Sequence, residues 1–503
     1  MKKTIGIILS LLIIVGVVGC GPKEGKKDSS VDKSTTLQGD VLDFSKKLDI
    51  NITAWYPKVL SEDDEIIKFI ENKFNVNIKY ELLPGAEYDK TISMRVAADN
   101  LPTYMRLKQA AVYANLRDDG YIVNISEYAD KYGFDNIKKY LSNPALETEK
   151  EADGFYKMPG KIGPALHGMY IRKDWLDKLG LEIPKTYDDL YTVLKAFADN
   201  DLDGQDVAPL TMNGLFYLRR SVPAFTGVNE WGKVDGKWTS EQMVPEYKDF
   251  LRTMNKFYEE DLLDKEVFTL NRAQAFEKIA LGKAGLIYSN DGFFNTIRKQ
   301  LLDVNPNAEI VPITPWIKGP KGSLRPTGIG YYGYGVLSNK IPEETKVRML
   351  AILDYLFTEE GSNLIWNGIE GIHYNVVDGK KVFVDETRER DFFGIQYHRF
   401  AQFVDYSKAY TLLKDPLLIK NAEDAMKEEN GCIDYTSSFT SPVAQPIKQL
   451  ITDIANKWTV NFITGEADID DEKQWEQYMK EMKKAGYDTY IDELTKFMAE
   501  RGK

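Results

Sequence analysis

The sequence predicts an α/β protein with two large lobes, and two observations lead to this fold class. About 455 residues follow Asp49, whereas a single hydrophobic core seldom serves more than ~250 to 300 residues. The stretch from residue 48 to residue 83 also has the pattern of strand, helix and strand, an order typical of a sheet covered by helices. Ligands of such sheets bind beyond the carboxyl ends of the strands, so the sequence predicts a binding site there.

The first three elements follow from local patterns. "LDINITAWYP" (48–57) alternates apolar and polar residues like a strand and ends in two aromatic residues and a proline. The next stretch places Ser61 as a helix N-cap with Asp64 three residues later, as in a capping box. "VNIKYELL" (76–83) again has the pattern of a strand. Between them, the apolar residues at helical spacing are Ile66, Ile67, Phe69, Ile70 and Phe74.

The N-terminal segment, residues 1–19, has the parts of an export signal. Lys2 and Lys3 precede an apolar run from residue 5 to residue 18. This run is too short to span a membrane, because a helix needs ~20 residues to cross the hydrocarbon.

Cys20 follows the small and branched residues Val17, Val18 and Gly19, a pattern that resembles the lipobox of bacterial lipoproteins. The resemblance implies cleavage before Cys20 and a diacylglycerol on its sulfur, with fatty acyl chains such as palmitate. Each buried methylene contributes ~0.8 kcal/mol, so two acyl chains hold a protein durably at a membrane. We therefore expect a lipid anchor on the extracellular face of the cell membrane. An ordinary cleaved signal and an uncleaved anchor remain open.

Residues 20–48 are rich in Lys, Asp, Ser and Gly without a sustained apolar period, which predicts a flexible tether. The other cysteine, Cys432, has no internal partner once Cys20 is acylated, so no disulfide framework is expected. The formal net charge of −12 offers no general basic character. Nucleic acid is therefore not an expected partner.

One segment makes a family resemblance specific. "GFYKMPGKIGPALHGMYIRKDWLDKLGLEIPKTYDDLYTVLKAF" (154–197) resembles the middle of extracellular solute-binding proteins that supply carbohydrate to ABC importers. It contains an Arg-Lys-Asp-Trp-Leu helix start, a Pro-Lys-Thr turn, and Thr186 and Asp189 in capping-box positions. The chain is most similar to the long Gram-positive lipoprotein branch that includes binders of alginate oligosaccharides and complex glycans. The likeness continues in residues 246–268, 282–293, 353–380 and 462–493.

The resemblance implies a two-lobed periplasmic-binding-protein-like fold, type II, of the cluster of long sugar binders, with strands that cross the hinge. It places residues 49–163 plus 286–330 in an N-terminal lobe and residues 164–285 plus 331–503 in a C-terminal lobe. The expected crossings lie near 159–168, 286–290 and 328–336. The resemblance implies a monomer. Its two lobes would close on an oligosaccharide, because a ligand that touches both lobes favours the closed state. The permease subunits of an ABC transporter would then receive the ligand.

Enzyme motifs are weak by comparison. "GIGYYG" (328–333) matches G-x-G-x-x-G, but the strand-like "YGVLS" follows where a dinucleotide fold requires a helix. "GPKGS" (319–323) lacks the phosphate-loop spacing, and neither G-x-S-x-G nor H-E-x-x-H occurs. The three histidines are scattered, and with 77 acidic residues a pair of carboxylates decides nothing. No catalytic residue is predicted. A lipid-anchored glycan hydrolase, a surface interaction protein and a peptide binder remain open alternatives.

The acidic stretch "DNDLDGQD" (199–206) follows a predicted helix. Three carboxylates at alternate positions before a glycine can wrap a calcium ion as in an EF-hand loop. Alginate-binding relatives carry a calcium loop at this place, although the twelfth position here is Leu210 instead of glutamate. A solvated, ion-free turn is the alternative, and no other cofactor is expected. The candidate metal ligands are Asp199, Asp201, Asp203, Gln205 and Asp206.

Sugar recognition requires flat apolar faces and planar hydrogen-bonding groups. Candidates come from strand ends, from the predicted crossing segments, from nearby loops and from the "GIHY" turn. Core packing is the alternative for any single aromatic residue, and we favour it for Trp366. The candidate ligand-binding residues are Trp55, Tyr56, Arg106, Lys108, Gln109, His167, Trp231, Asp291, Phe293, Tyr331, Tyr332, His373 and Tyr374.

Overall fold

The structure is a computed structural model. It describes residues 43–55, 63–84, 87–107, 109–143, 146, 149–158, 162–164, 167–200, 202–203, 207–329, 334–391, 416–425, 431–433, 436 and 439–502. The predicted signal peptide, Cys20 and most of the tether lie outside these residues. So do the predicted site residues Tyr56, Lys108, Asp201, Gln205, Asp206, Tyr331 and Tyr332.

The described residues alternate between strands and helices. The strands are β1 Leu48–Trp55, β2 Val76–Leu83, β3 Tyr104–Leu107, β4 Ile162–Pro164, β5 His167–Arg172, β6 Leu210–Met212, β7 Trp231–Val234, β8 Lys237–Ser240, β9 Leu286–Asn290, β10 Ile310–Pro312, β11 Arg325–Ile329, β12 Tyr334–Leu337, β13 Tyr374–Val377, β14 Lys380–Phe383 and β15 Gly431–Ile433.

The helices are α1 Glu65–Phe74, α2 Tyr88–Ala97, α3 Ala110–Asp118, α4 Ile125–Tyr132, α5 Asp135–Leu141, α6 Lys173–Leu179, α7 Tyr187–Asp199, α8 Leu215–Leu218, α9 Val222–Thr226, α10 Tyr247–Glu259, α11 Arg272–Ala280, α12 Phe294–Val304, α13 Glu343–Leu356, α14 Glu359–Trp366, α15 Asp385–Asp391, α16 Pro416–Ala425, α17 Ala444–Thr464, α18 Glu472–Lys484 and α19 Tyr487–Glu500. Short 3₁₀ turns cover Arg219–Ser221 and Asp291–Phe293.

Helix starts follow the expected chemistry, with one difference. Thr186 and Asp189 form the predicted capping box of α7. The N-cap of α1 is Asp64, whose carboxylate accepts from the backbone N–H of Ile66 and Ile67, each at 3.0 Å. Ser61, the predicted cap, lies outside the described residues. Either residue type can satisfy the free N–H groups of a first turn, so pattern alone did not separate the two.

The first body is built on the sheet β12-β3-β1-β2. β1 runs parallel to β2 and β3, and β12 runs antiparallel to β3. One face packs on α1, α4, α5 and α13 through a buried cluster that includes Ile50, Ile52 and Phe74. The other face packs on α2 and α3 through a cluster that includes Met105 and Val336. Burial alternates over the first four residues of β1, as the sequence pattern predicts, whereas Ile52, Thr53 and Ala54 are all buried because helices cover both faces of the sheet.

The second body is built on the sheet β10-β5-β9-β6. β6 runs parallel to β9, whereas β5 runs antiparallel to both β9 and β10. The larger core lies between one face and the helices α6, α7, α10 and α17 to α19. A smaller core with Tyr170, Phe276 and Phe294 covers the other face. Trp366, for which core packing is favoured, lies in the first body and is 7% exposed.

Two strands connect the bodies side by side. β4 pairs antiparallel with β11, and β11 also pairs parallel with β15. β4 lies between Met158, bridged to Gly335 in the first body, and His167, the first residue of β5 in the second. β11 in turn precedes β12 of the first sheet. These strands lie at the predicted crossings near 159–168 and 328–336.

The strand pairing differs from the predicted lobe boundaries in two segments. β9 (Leu286–Asn290), predicted as a crossing in the N-terminal lobe, pairs with β5 and β6 inside the second sheet. β12 and α13, predicted in the C-terminal lobe, join the first sheet and its core. The residue pattern of an apolar strand such as "LIYSN" is compatible with either sheet. The sheet that it joins is therefore determined by pairing with strands that are distant in sequence.

Candidate functional site

One edge of the first sheet collects three predicted residues. Because β1 and β3 are parallel, their carboxyl ends meet at the same edge. Trp55 ends β1, Arg106 is the penultimate residue of β3, and Gln109 immediately precedes α3. β12 runs the other way and begins at this edge, with Tyr334 opposite Leu107.

Aromatic and guanidinium groups are stacked at this first edge. The Arg106 guanidinium lies 4.8 Å from the centroid of the Trp55 ring, a cation–π distance. Trp55 also makes an edge contact with Tyr88 at 5.4 Å, and the Tyr88 hydroxyl donates to the carbonyl of Thr53 at 3.0 Å. Arg106 is fully buried, and burial lowers the pKa of its guanidinium to about 10. Trp55 is half-buried, and its ring packs against the Arg106 guanidinium and the Tyr88 ring.

Two residues of this edge did not appear among the predictions. Tyr88 and Asp89 form the first turn of α2, and the Asp89 carboxylate accepts from Nε2 of Gln109 at 3.0 Å. The rule that singled out Trp55 also covers them, because α2 follows the carboxyl end of β2. Their position in "AEYDK" was the available signal.

The corresponding edge of the second sheet contains His167. His167 starts β5 opposite Asn290, the last residue of β9. Its ring makes edge contacts with Phe216 and Tyr217, each at 5.5 Å between centroids. Phe216 is 53% exposed, and the Arg220 guanidinium lies 4.4 Å from its ring. This edge thus presents an exposed aromatic face beside a planar cation.

Phe216, Tyr217 and Arg220 did not appear among the predictions either. They belong to "LFYLRR", which follows β6 and so also lies beyond the carboxyl end of a strand. Phe293, which was predicted, ends the 3₁₀ turn after β9 and packs on Phe276 at 5.8 Å. The backbone of Asp291 starts the same turn.

The connecting strands join the two edges directly. The first connection leaves the edge of the first sheet at Met158, which is bridged to Gly335, and arrives at His167. The second leaves β11 and arrives at Tyr334. Chain continuity therefore places Trp55, Arg106, Gln109 and His167 on the two edges that adjoin the connection. A ligand between the bodies could contact Trp55 and Gln109 from the first edge and Phe216 from the second.

Three predicted residues lie in other elements and have the contacts of interior side chains. Trp231 in β7 is 6% exposed and packs on Tyr490 at 4.4 Å. It also lines a cavity of about 230 Å³ beside α17. His373 is fully buried; its Nδ1 accepts from the backbone N–H of Ile369 at 2.9 Å, so Nε2 donates to Asp391 at 3.0 Å. Tyr374 is buried against Phe383.

The described part of the acidic loop is held by basic side chains. Asp203 accepts from the fully buried Arg172 at 3.0 Å, and Asp199 pairs with Lys195 at 3.3 Å. Arg172 also forms a two-pronged pair with Asp174. Within the described ranges, no group of three or more His, Cys, Asp or Glu residues is placed to hold a metal ion. One oxygen of Asp203 is thus engaged by Arg172, and its second oxygen could still serve a cation.

Among the described helices, none combines the length and the apolar content required to cross a bilayer.

Comparison with known proteins identifies the family. Bacterial extracellular solute-binding proteins match the chain over residues 51–362. The polygalacturonan/rhamnogalacturonan-binding protein YtcQ of Bacillus subtilis (strain 168) is 30% identical over 437 residues, which cover 82% of this chain and 85% of YtcQ. Lipoprotein LipO of the same organism is 25% identical, with 98% of both chains covered.

A solved structure shows the same fold. The alginate-binding protein AlgQ2, determined without calcium ion, superposes with a TM-score of 0.67 at 20% sequence identity. The match covers 89% of this chain and 97% of AlgQ2. The two α/β bodies joined by paired strands are therefore the two lobes of this fold, and the chain belongs to the family of bacterial extracellular solute-binding proteins.

Proposed function

We propose that the protein captures an oligosaccharide between its two lobes and delivers it to the permease of an ABC importer. One observation carries the proposal: each sheet edge that adjoins the connecting strands pairs an aromatic ring with a guanidinium. These pairs are Trp55 with Arg106 and Phe216 with Arg220. The name of YtcQ, a polysaccharide-binding relative, supports the same ligand class.

The chemistry of the edges suits a sugar. The C–H face of a pyranose ring packs on aromatic rings, and planar polar groups orient its hydroxyls. Gln109, Asp89 and His167 supply donors and acceptors next to those rings. A ligand that contacts both edges has higher affinity for the closed arrangement, and it shifts the population of the protein toward closure. The permease then meets a closed, loaded protein.

The test is binding without turnover. A panel of oligogalacturonides, rhamnogalacturonan fragments, alginate oligosaccharides and fructooligosaccharides is screened by thermal shift, and hits are measured by titration calorimetry. We expect a stoichiometric complex and a raised melting temperature, because a ligand that binds only the folded state stabilises it. Chromatography after prolonged incubation should return the sugar unchanged. Shortened products at more than one turnover per protein would instead identify a hydrolase, and no shift with any glycan would favour an interaction protein.

We further propose that Cys20 carries the lipid that retains the protein on the extracellular face of the membrane. The sequence around Cys20 and the likeness to Lipoprotein LipO support this proposal. Replacing Cys20 by serine should release the protein into the medium. The Cys432→Ser variant is the matched control, because it alters the other cysteine and should stay membrane-bound. Retention of the Cys20→Ser variant after a high-salt wash would contradict the proposal.

For the acidic loop we propose a structural calcium ion held by Asp199, Asp201, Asp203, Asp206 and the backbone oxygen of Gln205. The spacing of these residues supports the proposal. A chelator should lower the melting temperature and added calcium should restore it, since the ion binds the folded state. The Asp201→Asn variant should lose this response. Equal melting with and without chelator would favour an ion-free turn closed by Arg172.

A further inference from the structure

Glu151 receives hydrogen bonds from both lobes. Its Oε1 accepts from the Tyr113 hydroxyl at 2.9 Å and from Arg117 Nη1 at 2.8 Å. Its Oε2 accepts from Arg501 Nη2 at 2.6 Å. Tyr113 and Arg117 lie on α3 of the first lobe, whereas Arg501 directly follows α19 of the second lobe. Glu151 and Arg501 are 350 positions apart in sequence, so this carboxylate links distant parts of the chain.

Each partner is firmly part of its own lobe. Tyr113 belongs to the core between the first sheet and its helices. The helix that ends beside Arg501 buries Tyr490, Leu494 and Met498 in the main core of the second lobe. The Arg501 guanidinium also lies 3.6 Å from the ring of Phe497 on that helix. A movement that separates α3 from the end of α19 therefore breaks the bond between Glu151 and Arg501.

The pair is shielded from solvent. The side chain of Glu151 is 10% exposed and that of Arg501 is 16% exposed. Exposed ion pairs contribute little because water screens them, whereas charge-assisted hydrogen bonds are short and strong when water is largely excluded. Arg117 already compensates the charge of Glu151 within the first lobe. Separation from Arg501 therefore leaves the carboxylate paired, so the interlobe contact can open without stranding a buried charge.

The contact lies beside the connection between the lobes. Glu151 is in the segment that leads to β4, and Lys157 of the same segment lies 4.4 Å from the ring of Tyr113 and 4.6 Å from that of Tyr334. Lys157 is itself buried and paired with Glu149. Through Lys157, the segment before β4 therefore packs against α3 and the start of β12. The Glu151 segment is thus attached to the first lobe.

We propose that the Glu151–Arg501 pair is a clasp that holds the lobes in the arrangement of this structure. A ligand that favours a different lobe arrangement must break the clasp, which places a cost on that change and weakens the apparent affinity. Arg501 and Glu151 act through the lobe arrangement and do not touch the sugar. The effect on affinity rests on the proposed function, whereas the effect on the free protein does not.

The direct test measures interlobe distance in the absence of ligand. Spin labels replace the exposed residues Lys139 in the first lobe and Glu476 in the second, in the full chain with Cys432→Ser. Pulsed dipolar spectroscopy compares the parent with Arg501→Gln. We expect a broader distribution in Arg501→Gln, with distances that are absent from the parent, and the parent distribution in Arg501→Lys, which keeps the charge. Glu500→Gln, at the neighbouring exposed position, should also match the parent.

A second variant and a second measurement keep the test sharp. Glu151→Gln should broaden the distribution in the same way, although it also weakens the bond to Arg117. With a glycan identified by the panel above, Arg501→Gln should bind about fivefold more tightly, as expected when the cost of leaving this arrangement falls. Parent and Arg501→Gln distributions that superimpose would overturn the clasp, even if glycan binding is established. A broadened distribution without any glycan binding would support the clasp and contradict the proposed function.

Discussion

The two ligand edges are built differently. At the edge of the first lobe, Trp55 lies over the fully buried Arg106 and against Tyr88, and Asp89 holds Gln109. At the edge of the second lobe, Phe216 is 53% exposed and touches His167 and Arg220. The first edge is thus organised before a ligand arrives, whereas the second offers a ring with few constraints.

This difference suggests a division of roles between the lobes. A group whose neighbours already fix its geometry loses little entropy on binding, so it contributes more to affinity. An exposed ring can adapt to ligands of different shape and contributes less to each. We therefore expect the first lobe to provide most of the binding free energy and the second lobe to complete the closed state. Two predictions test this comparison, and a third concerns the stability of the first lobe itself.

The largest effect on stability and binding should come from disrupting the packing of Arg106 and its neighbours beneath Trp55. Gly335 in β12 pairs with Arg106, and a Cβ at this position would lie 1.5 Å from the Tyr104 hydroxyl. Gly335→Ala should therefore displace Tyr104 or Arg106 and destabilise the first lobe by about 3 kcal/mol or more, at the upper end of overpacking effects. Urea unfolding and glycan titration measure the two consequences.

The matched control lies in the second lobe. A Cβ at Gly285, just before β9, would lie 2.4 Å from Phe197 and 2.7 Å from Trp175. Gly285→Ala should also lower stability, but it leaves the packing of Trp55 and Arg106 intact. If both variants lose glycan affinity equally when folded, the first edge has no special role.

A smaller effect separates the two aromatic platforms. Trp55→Ala should weaken glycan binding by roughly 1 to 3 kcal/mol, as for loss of an aromatic anchor from a desolvated site. Phe216→Ala should cost less, about 1 kcal/mol or below, because its ring is largely solvated before binding. Calorimetric titration of both variants gives the ratio. A larger loss in Phe216→Ala would reverse the assigned roles.

The smallest effect concerns acid stability of the first lobe. Burial opposes ionisation of Glu343, but hydrogen bonds from Tyr128 and Tyr132 at 2.7 Å, with Lys131, lower its pKa to about 2. Because the folded pKa lies below the unfolded value, its contribution is complete above about pH 4.5 and is lost as the pH falls toward 2. Glu343 is 46% exposed, so the contribution is limited to about 1 kcal/mol.

Glu343→Gln should therefore reduce unfolding free energy at pH 7 and flatten its decline between pH 4.5 and pH 2. Urea titrations across this range measure the change. Glu359→Gln, an exposed acid in the first turn of α14, is the control and should keep the parent slope. Parallel pH profiles for Glu343→Gln and the parent would show that the tyrosine bonds do not stabilise the carboxylate.

Much of the fold was accessible from local patterns. The strand at residues 48–55 and the Thr186–Asp189 capping box appear in the structure as predicted. His167 is predicted in the first crossing segment. Trp55 and Arg106 are predicted at the ends of strands, and parallel strands bring their carboxyl ends together. Tyr88, Phe216 and Arg220 were missed even though the same rule applies, since helices that follow a strand also start at that edge.

Residue type alone was a poor guide to which side chains lie at the candidate site. Histidine is a residue type that often contacts ligands. In this structure, however, both ring nitrogens of His373 form hydrogen bonds in the interior, Nδ1 with the backbone of Ile369 and Nε2 with Asp391. Trp231 stacks within the helical layer of the second lobe. Their roles as ligand contacts stay predictions, because residue type indicates what a side chain can bind and not what surrounds it.

The sequence by itself determined the family, the α/β class and the alternation of buried and exposed faces, because these depend on residue type and on periods of two and 3.6 residues. Only the tertiary structure decided that β9 joins the second sheet and β12 the first, and that Arg501 reaches Glu151. Periodicity predicts which face of a helix or strand is buried, but it does not predict which other element that face or edge packs against. Partners separated by hundreds of residues are selected by the packing of the whole chain, where each pairing competes with every alternative.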